Sequence, residues 1–173
     1  RPQLLRNVET VRTMGIDEKI RFWRDVMQYA KDRGVSVYFI TWNIFTFGAD
    51  GKHGITGAQD NPRTIEYFRA SVRELVLTYP LLAGIGITAG EQISERKDEF
   101  DKEKWLWKTY GEGMQDALKL QPGRKLTLIH RYHETGQESI FREFREYPGP
   151  FELSFKYSVA HMYSIPNPPY INE

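Results

Sequence analysis

Four groups of polar residues stand directly behind apolar runs in this sequence, and each holds side chains able to move protons or grip hydroxyls. Glu91 is the foremost. It follows Leu82 to Gly90 (LAGIGITAG) without a break. A carboxyl group at the end of a strand, walled in part by apolar side chains, is expected to hold its proton near neutral pH and to serve as a general acid. Gly90 permits an unusual backbone angle or close approach by a substrate. The structural alternative is an exposed Glu, or one paired to a loop arginine such as Arg96.

The second group is His130, Arg131, Tyr132, His133 and Glu134. Either histidine can hydrogen-bond a substrate hydroxyl or orient Glu134, and Glu134 is the candidate second carboxylate. Strand alternation places His130, Tyr132 and Glu134 on one side and Arg131 and His133 on the other, a parity that fades if the strand stops near Arg131. A satisfied core histidine is the competing reading for each histidine alone. The third group is Lys156 within a strand, with His161 and Tyr163 after it. Lys156 or Arg131 can clamp an acidic sugar such as a uronate, or Lys156 can neutralise a structural Glu. The fourth is Trp42 and Asn43. Asn43 can hold a hydroxyl, while Trp42, Phe45 and Phe47 can stack on sugar faces or pack their own loop.

The elements that must position these residues repeat one order: helix, apolar strand, polar loop. A helix is expected from Asp17, as N-cap, to Arg33, with Gly34 ending it and Ile20, Trp23, Met27 and Ala30 along one face. Val35 to Thr41 (VSVYFIT) reads as a buried strand. Asn61-Pro62 opens a second helix that carries Ile65, Phe68, Val72, Leu75 and Tyr79, and Leu82 to Thr88 is the next strand. A third helix covers Asp101 to Leu120 with Trp105, Met114 and Leu118 inward. Lys125 to Arg131 follows as strand. A short helix from Gln137 to Tyr147 turns Ile140, Phe141 and Phe144 inward, and Phe151 to Val159 is the last strand.

Strands joined by helical crossovers form a parallel sheet. No GxGxxG or GxxxxGK[ST] loop follows any strand, which disfavours nucleotide-binding versions. Reactive side chains gather behind every strand, where (β/α)₈ TIM barrels build their active sites. Such a barrel has eight units, and four are legible here. The expectation is therefore an α/β chain, residues 1–173, forming about half of a TIM barrel, with the remaining half supplied by the parent chain. A compact open α/β domain is the alternative.

The order Trp42-Asn43, then Thr88-Ala89-Gly90-Glu91, then His130 to Glu134 resembles bacterial barrel glycoside hydrolases of the clan whose acid lies after the fourth strand. It is more loosely similar to α-glucuronidase-like proteins of polysaccharide degraders. The clan shows Asn-Glu at the acid, where this chain has Gly90-Glu91. The resemblance implies Glu91 as acid/base, a strand before it that is the barrel's fourth, a nucleophile on a later strand, and a carbohydrate substrate without a cofactor.

A net charge of +1 gives no electrostatic case for nucleic acid or an anionic membrane, and no apolar run approaches a membrane span. Cysteine is absent, so thiol nucleophiles and disulfides are excluded. The first residue is Arg1 rather than Met, which is expected of a processed or excerpted chain and fits a periplasmic or secreted setting. Two other functions fit the same residues. One is a metal-dependent barrel enzyme with Glu91, His130, His133 and His161 as ligands, although no HxH or HExxH spacing is present. The other is a non-catalytic carbohydrate-binding barrel domain.

Overall fold

A computed structural model describes residues 12–41, 44–88, 99–133 and 135–154, the side chains of 99 and 100 excepted. The order is α1 (Ile16–Lys31), β1 (Val37–Ile40), α2 (Pro62–Thr78), β2 (Leu82–Thr88), α3 (Glu99–Leu106), a π turn (Trp107–Gly111), α4 (Glu112–Leu120), β3 (Thr127–Arg131), α5 (Gln137–Phe144) and β4 (Phe151–Ser154). Each expected helix and strand is present: β2 has its expected bounds, β1, β3 and α5 are shorter, the third helix begins earlier, at Glu99, and the part of the last expected strand beyond Ser154 lies outside the described residues.

The four strands form one parallel sheet in the order β1-β2-β3-β4. Each crossover steps the same way across the sheet. Crossovers between parallel strands are right-handed, so a sheet built in sequence order gathers its helices on one face. A doubly wound sheet reverses direction and covers both. The side chains agree. Val37, Phe39, Leu82, Ile85, Ile87, Leu128, Phe151 and Leu153 belong to one core with Phe68, Val72, Trp105, Met114, Ile140 and Phe144 from the helices. The register rows through the other face run Tyr38, Gly84, Thr127; then Ile40, Gly86, Ile129, Glu152; then Thr88, Arg131, Ser154. On that face Ile40 is 71% exposed, and its side chain lies over Gly86, where any Cβ would collide with it.

The helix starts follow local chemistry. Asn61 caps α2 by accepting from the Arg63 N–H at 2.9 Å, and Pro62 takes the first turn. Helix α1 instead begins at Ile16 with Gly15 at the cap, so Asp17 lies in the first turn rather than capping. Gly34, at φ 70, carries the chain out of α1. Two expected inward residues are only partly covered: Trp23 is 40% and Phe141 46% exposed. Met27, Ile140 and Phe144 are buried as expected.

The third expected helix is two α segments joined by a π turn. The Glu112 N–H reaches the Trp107 carbonyl, five residues back. The Thr109 hydroxyl donates to the Trp105 carbonyl at 2.8 Å and so satisfies backbone near the irregular turn. Beyond it α4 lies tightly on α2. A Cβ on Gly113 would stand 2.7 Å from the Arg69 carbonyl oxygen and 2.9 Å from Val72 Cβ. Across the same contact Arg69 pairs with Glu112 and with Asp116, the latter at 2.6 Å. The Asp116 bond raises the arginine's pKa, and the same bond holds the Asp116 carboxyl below its usual range.

Gly113→Ala tests this packing by the sign of its effect. In an open helix the change stabilises by up to about 1 kcal/mol. Here the added methyl meets backbone, so urea unfolding should show a loss of about 1–3 kcal/mol. A gain would mean that the two helices lie further apart than described.

Candidate functional site

The C-terminal ends of β1, β2 and β3 border a cleft of about 300 Å³ lined by Ile40, Thr41, Ile87, Thr88 and Arg131. Strand alternation accounts for its polar members. Leu128 and His130 point to the helices, so Arg131 points to the open face, where it pairs in register with Thr88. Among the described residues no carboxylate pairs with the Arg131 guanidinium. Thr88 is 6% exposed, and its Oγ1 has no partner among the described residues. A buried hydroxyl and a guanidinium that both lack a partner among the described residues make a cleft suited to a polar, anionic ligand.

The wall behind the cleft is tied down. Tyr110, from the π turn, hydrogen-bonds the side chain of Thr41. Burial pushes the Tyr110 hydroxyl up to about 12, and the Thr41 bond pulls the other way. Tyr110 therefore stays protonated at any physiological pH and acts as a brace.

His130 is placed on the other side. It is fully buried, its Nε2 lies 2.6 Å from Glu103 Oε2, and its Nδ1 lies 3.0 Å from the Arg131 carbonyl oxygen. Its ring packs edge-on against Phe144 at 5.1 Å. Both nitrogens are engaged, and neither reaches the cleft. This corrects the expectation that His130 grips a substrate hydroxyl, and it removes His130 from the metal-ligand set. The physical reason is parity: the strand persists through His130, and its even positions face the helix layer. Among the described residues no three His, Asp or Glu gather to hold a metal ion.

Tyr132 and His133 come after the strand's last residue, where alternation no longer holds. Tyr132 is 43% exposed and its N–H donates to the Ser154 carbonyl at 2.7 Å. His133 is half-buried and has an interaction partner. Phe45 and Phe47 stack on each other with centroids 5.0 Å apart, on the loop that follows β1, and Phe47 is 70% exposed. Turns at Gly48, Gly51 and Gly54, with φ of 82, 76 and 77, fold that loop. Trp42, Asn43, Glu91, Glu134, Lys156, His161 and Tyr163 lie outside the described residues.

Three residues escape sequence reasoning. Glu152 is exposed on the open face, a position readable from Phe151 and Leu153 being apolar on either side of it. Thr88 reads in sequence as the end of a strand, with nothing to mark its hydroxyl as buried. Glu103 sits between Lys102 and Lys104, in a run that reads as solvated, and nothing in the sequence marks it as buried either.

The fold is shared with part of an enzyme. A solved structure of a GH138 enzyme targeting pectin rhamnogalacturonan II aligns over 82% of this chain with a TM-score of 0.69 and 22% sequence identity. The alignment covers 17% of that enzyme's chain. No protein-family model matches the sequence, and no curated protein matches it. The likeness supports the singly wound β/α arrangement. No helix among the described residues is long and apolar enough to cross a membrane.

Two measurements test this site's chemistry. Thr88→Val removes a hydroxyl that has no partner among the described residues, so thermal unfolding should come no earlier than in the wild type; a loss of about 1 kcal/mol or more would reveal a hidden bond. The second concerns Tyr110. Its folded pKa of about 12 exceeds the unfolded value of 10.0, so the folded state holds the proton longer. Its contribution is full below pH 10 and is lost as pH rises through 12. Tyr110→Phe should therefore flatten the fall of melting temperature across that window. An unchanged slope would contradict the burial.

Proposed function

We propose that this chain is part of a (β/α)₈-barrel glycoside hydrolase that acts on an acidic saccharide, with Glu91 as general acid. The observation that carries the reading is the cleft at the strand ends. It joins an Arg131 guanidinium and a Thr88 hydroxyl that both lack a partner among the described residues, and Thr88 stands three residues before Glu91 in sequence. Glu91 protonates the leaving glycosidic oxygen. Glu134, or a carboxylate from elsewhere in the parent chain, serves as nucleophile or base, and carboxyl separation sets the stereochemical outcome. Arg131 takes the substrate's carboxylate through its planar pair of donors. Asn43, Tyr132, His133, Lys156, His161 and Tyr163 are the further candidates to line the mouth, and Trp42 offers a stacking ring.

The barrel itself belongs to this proposal. One-way winding, an exposed apolar side chain on the open face and the outer edges of β1 and β4 support further β/α units from the parent protein closing the sheet. The likeness to a glycoside hydrolase supports the same reading, and the neighbour's pectic target makes a uronate-bearing polysaccharide the substrate class to try first.

Glu91→Gln in the intact protein should lower turnover by about 10²–10⁴-fold while saccharide binding persists. Arg131→Gln should raise KM by about tenfold for substrates bearing a carboxylate and leave neutral ones nearly unchanged. Full activity of the Glu91→Gln variant would refute the assignment of the acid, and equal loss on neutral and acidic sugars would refute the role of Arg131.

A further inference from the structure

Behind the cleft lies a polar pair that its surroundings do not call for. Glu103 and His130 are both fully buried. In the register row through His130 its neighbours are Ile87 and Leu153, and the ring of Phe144 stands against it. Burying two ionisable groups is costly, and well-packed apolar residues in such places are often as stable or more so. Stability alone therefore does not account for the pair.

The hydrogen bonds indicate what it does instead. A backbone carbonyl oxygen can only accept, so at 3.0 Å from the Arg131 oxygen His130 Nδ1 must carry a proton. Nε2 and Glu103 Oε2, 2.6 Å apart, then share one further proton between them. If it lies on nitrogen, the pair is imidazolium and carboxylate. If it lies on oxygen, the pair is neutral imidazole and carboxylic acid. In either case the pair carries no net charge, and in either case Nδ1 remains a donor. Without Glu103, a neutral imidazole is free to protonate Nε2 instead and to turn a lone pair toward the Arg131 carbonyl. Glu103 thus dictates the tautomer, as partners behind a working histidine commonly do.

We propose that Glu103 and His130 are positioning residues: acting through the Arg131 carbonyl, they fix the end of β3 so that the Arg131 guanidinium is held in the cleft for an anionic ligand. The inference rests on the reading of Arg131 given above. It adds a buried chain, Glu103 to His130 to Arg131, that runs from the helix layer through the sheet to the open face. The bond is made on one side of the sheet and its consequence falls on the other.

The test replaces the pair by apolar residues, Glu103→Leu with His130→Phe, in the intact protein. The fold should be kept, with a melting temperature at or above that of the wild type. KM for a galacturonate-bearing substrate should rise by about tenfold, with kcat changed far less. The Arg131 Nε–H resonance, followed by ¹⁵N NMR, should shift. Glu103→Gln, whose amide can donate to Nε2 and keep Nδ1 protonated, should restore both readings. A folded double variant with an unmoved Arg131 resonance and an unchanged KM overturns the proposal. If no variant, wild type included, cleaves any saccharide, the hydrolase reading fails, and the Arg131 resonance still decides the positioning claim. If the double variant does not fold, Glu103→Gln alone decides: a displaced Arg131 resonance in that folded variant overturns the proposal.

Discussion

Parallel strands laid side by side in sequence order leave the chain one place for its helices. Each crossover has the same hand and the same direction, so the helices accumulate on a single face. Every other feature follows from that asymmetry. Odd positions of β1 and of β4 and even positions of β3 meet the helices, and the intervening ones face the open side. Gly86 lets the Ile40 side chain lie across the open side of β2, and Gly84 admits the close approach of the Thr127 backbone. The cleft with Thr88 and Arg131 lies at the end of that side where the strands stop. An isolated four-stranded sheet of this kind would keep a bare face and two bare edges, which is why the proposed function goes with the closure of a larger barrel.

The helix layer does more than cover the sheet. Arg124 illustrates its lower end, where the guanidinium caps the carbonyls of Val76 and Tyr79 at the close of α2 and reaches Leu82 at the start of β2. At the upper end the π turn aims Tyr110 at Thr41, and α3 presents Glu103 to His130. These polar contacts are buried or partly buried and lie at strand ends. Apolar packing holds the middle of the layer, while hydrogen bonds fix the ends, where direction matters more than area.

The architecture is legible in the sequence because β1 and β2 are nearly continuous apolar runs, because β4 alternates apolar and polar residues, and because Asn61-Pro62 and Gly34 mark helix boundaries by chemistry that acts locally. The parallel sheet is legible too, through the regular alternation of helix and strand, whereas the one-way winding is suggested only by the polar residues gathered behind each strand. The candidate site is legible only in part. Strand ends can be located, but which side chain crosses to which face depends on where alternation stops. His130 falls on the helix side for that reason, and Arg131 on the open side. Glu103 is invisible in the sequence, since its burial comes from a tertiary partner 27 residues away. The π turn at Trp107–Gly111 is hidden as well, since no helical propensity records it.

What stands or falls with everything else is a saccharide site at the strand ends, organised around Arg131. The decisive observation is a crystal structure of the intact protein soaked with an acidic oligosaccharide of galacturonate. A sugar carboxylate should pair with the Arg131 guanidinium, a hydroxyl should come within hydrogen-bond reach of Thr88 Oγ1, and a glycosidic oxygen should lie beside Glu91. A saccharide bound elsewhere, with Arg131 and Thr88 left untouched, would contradict the proposal.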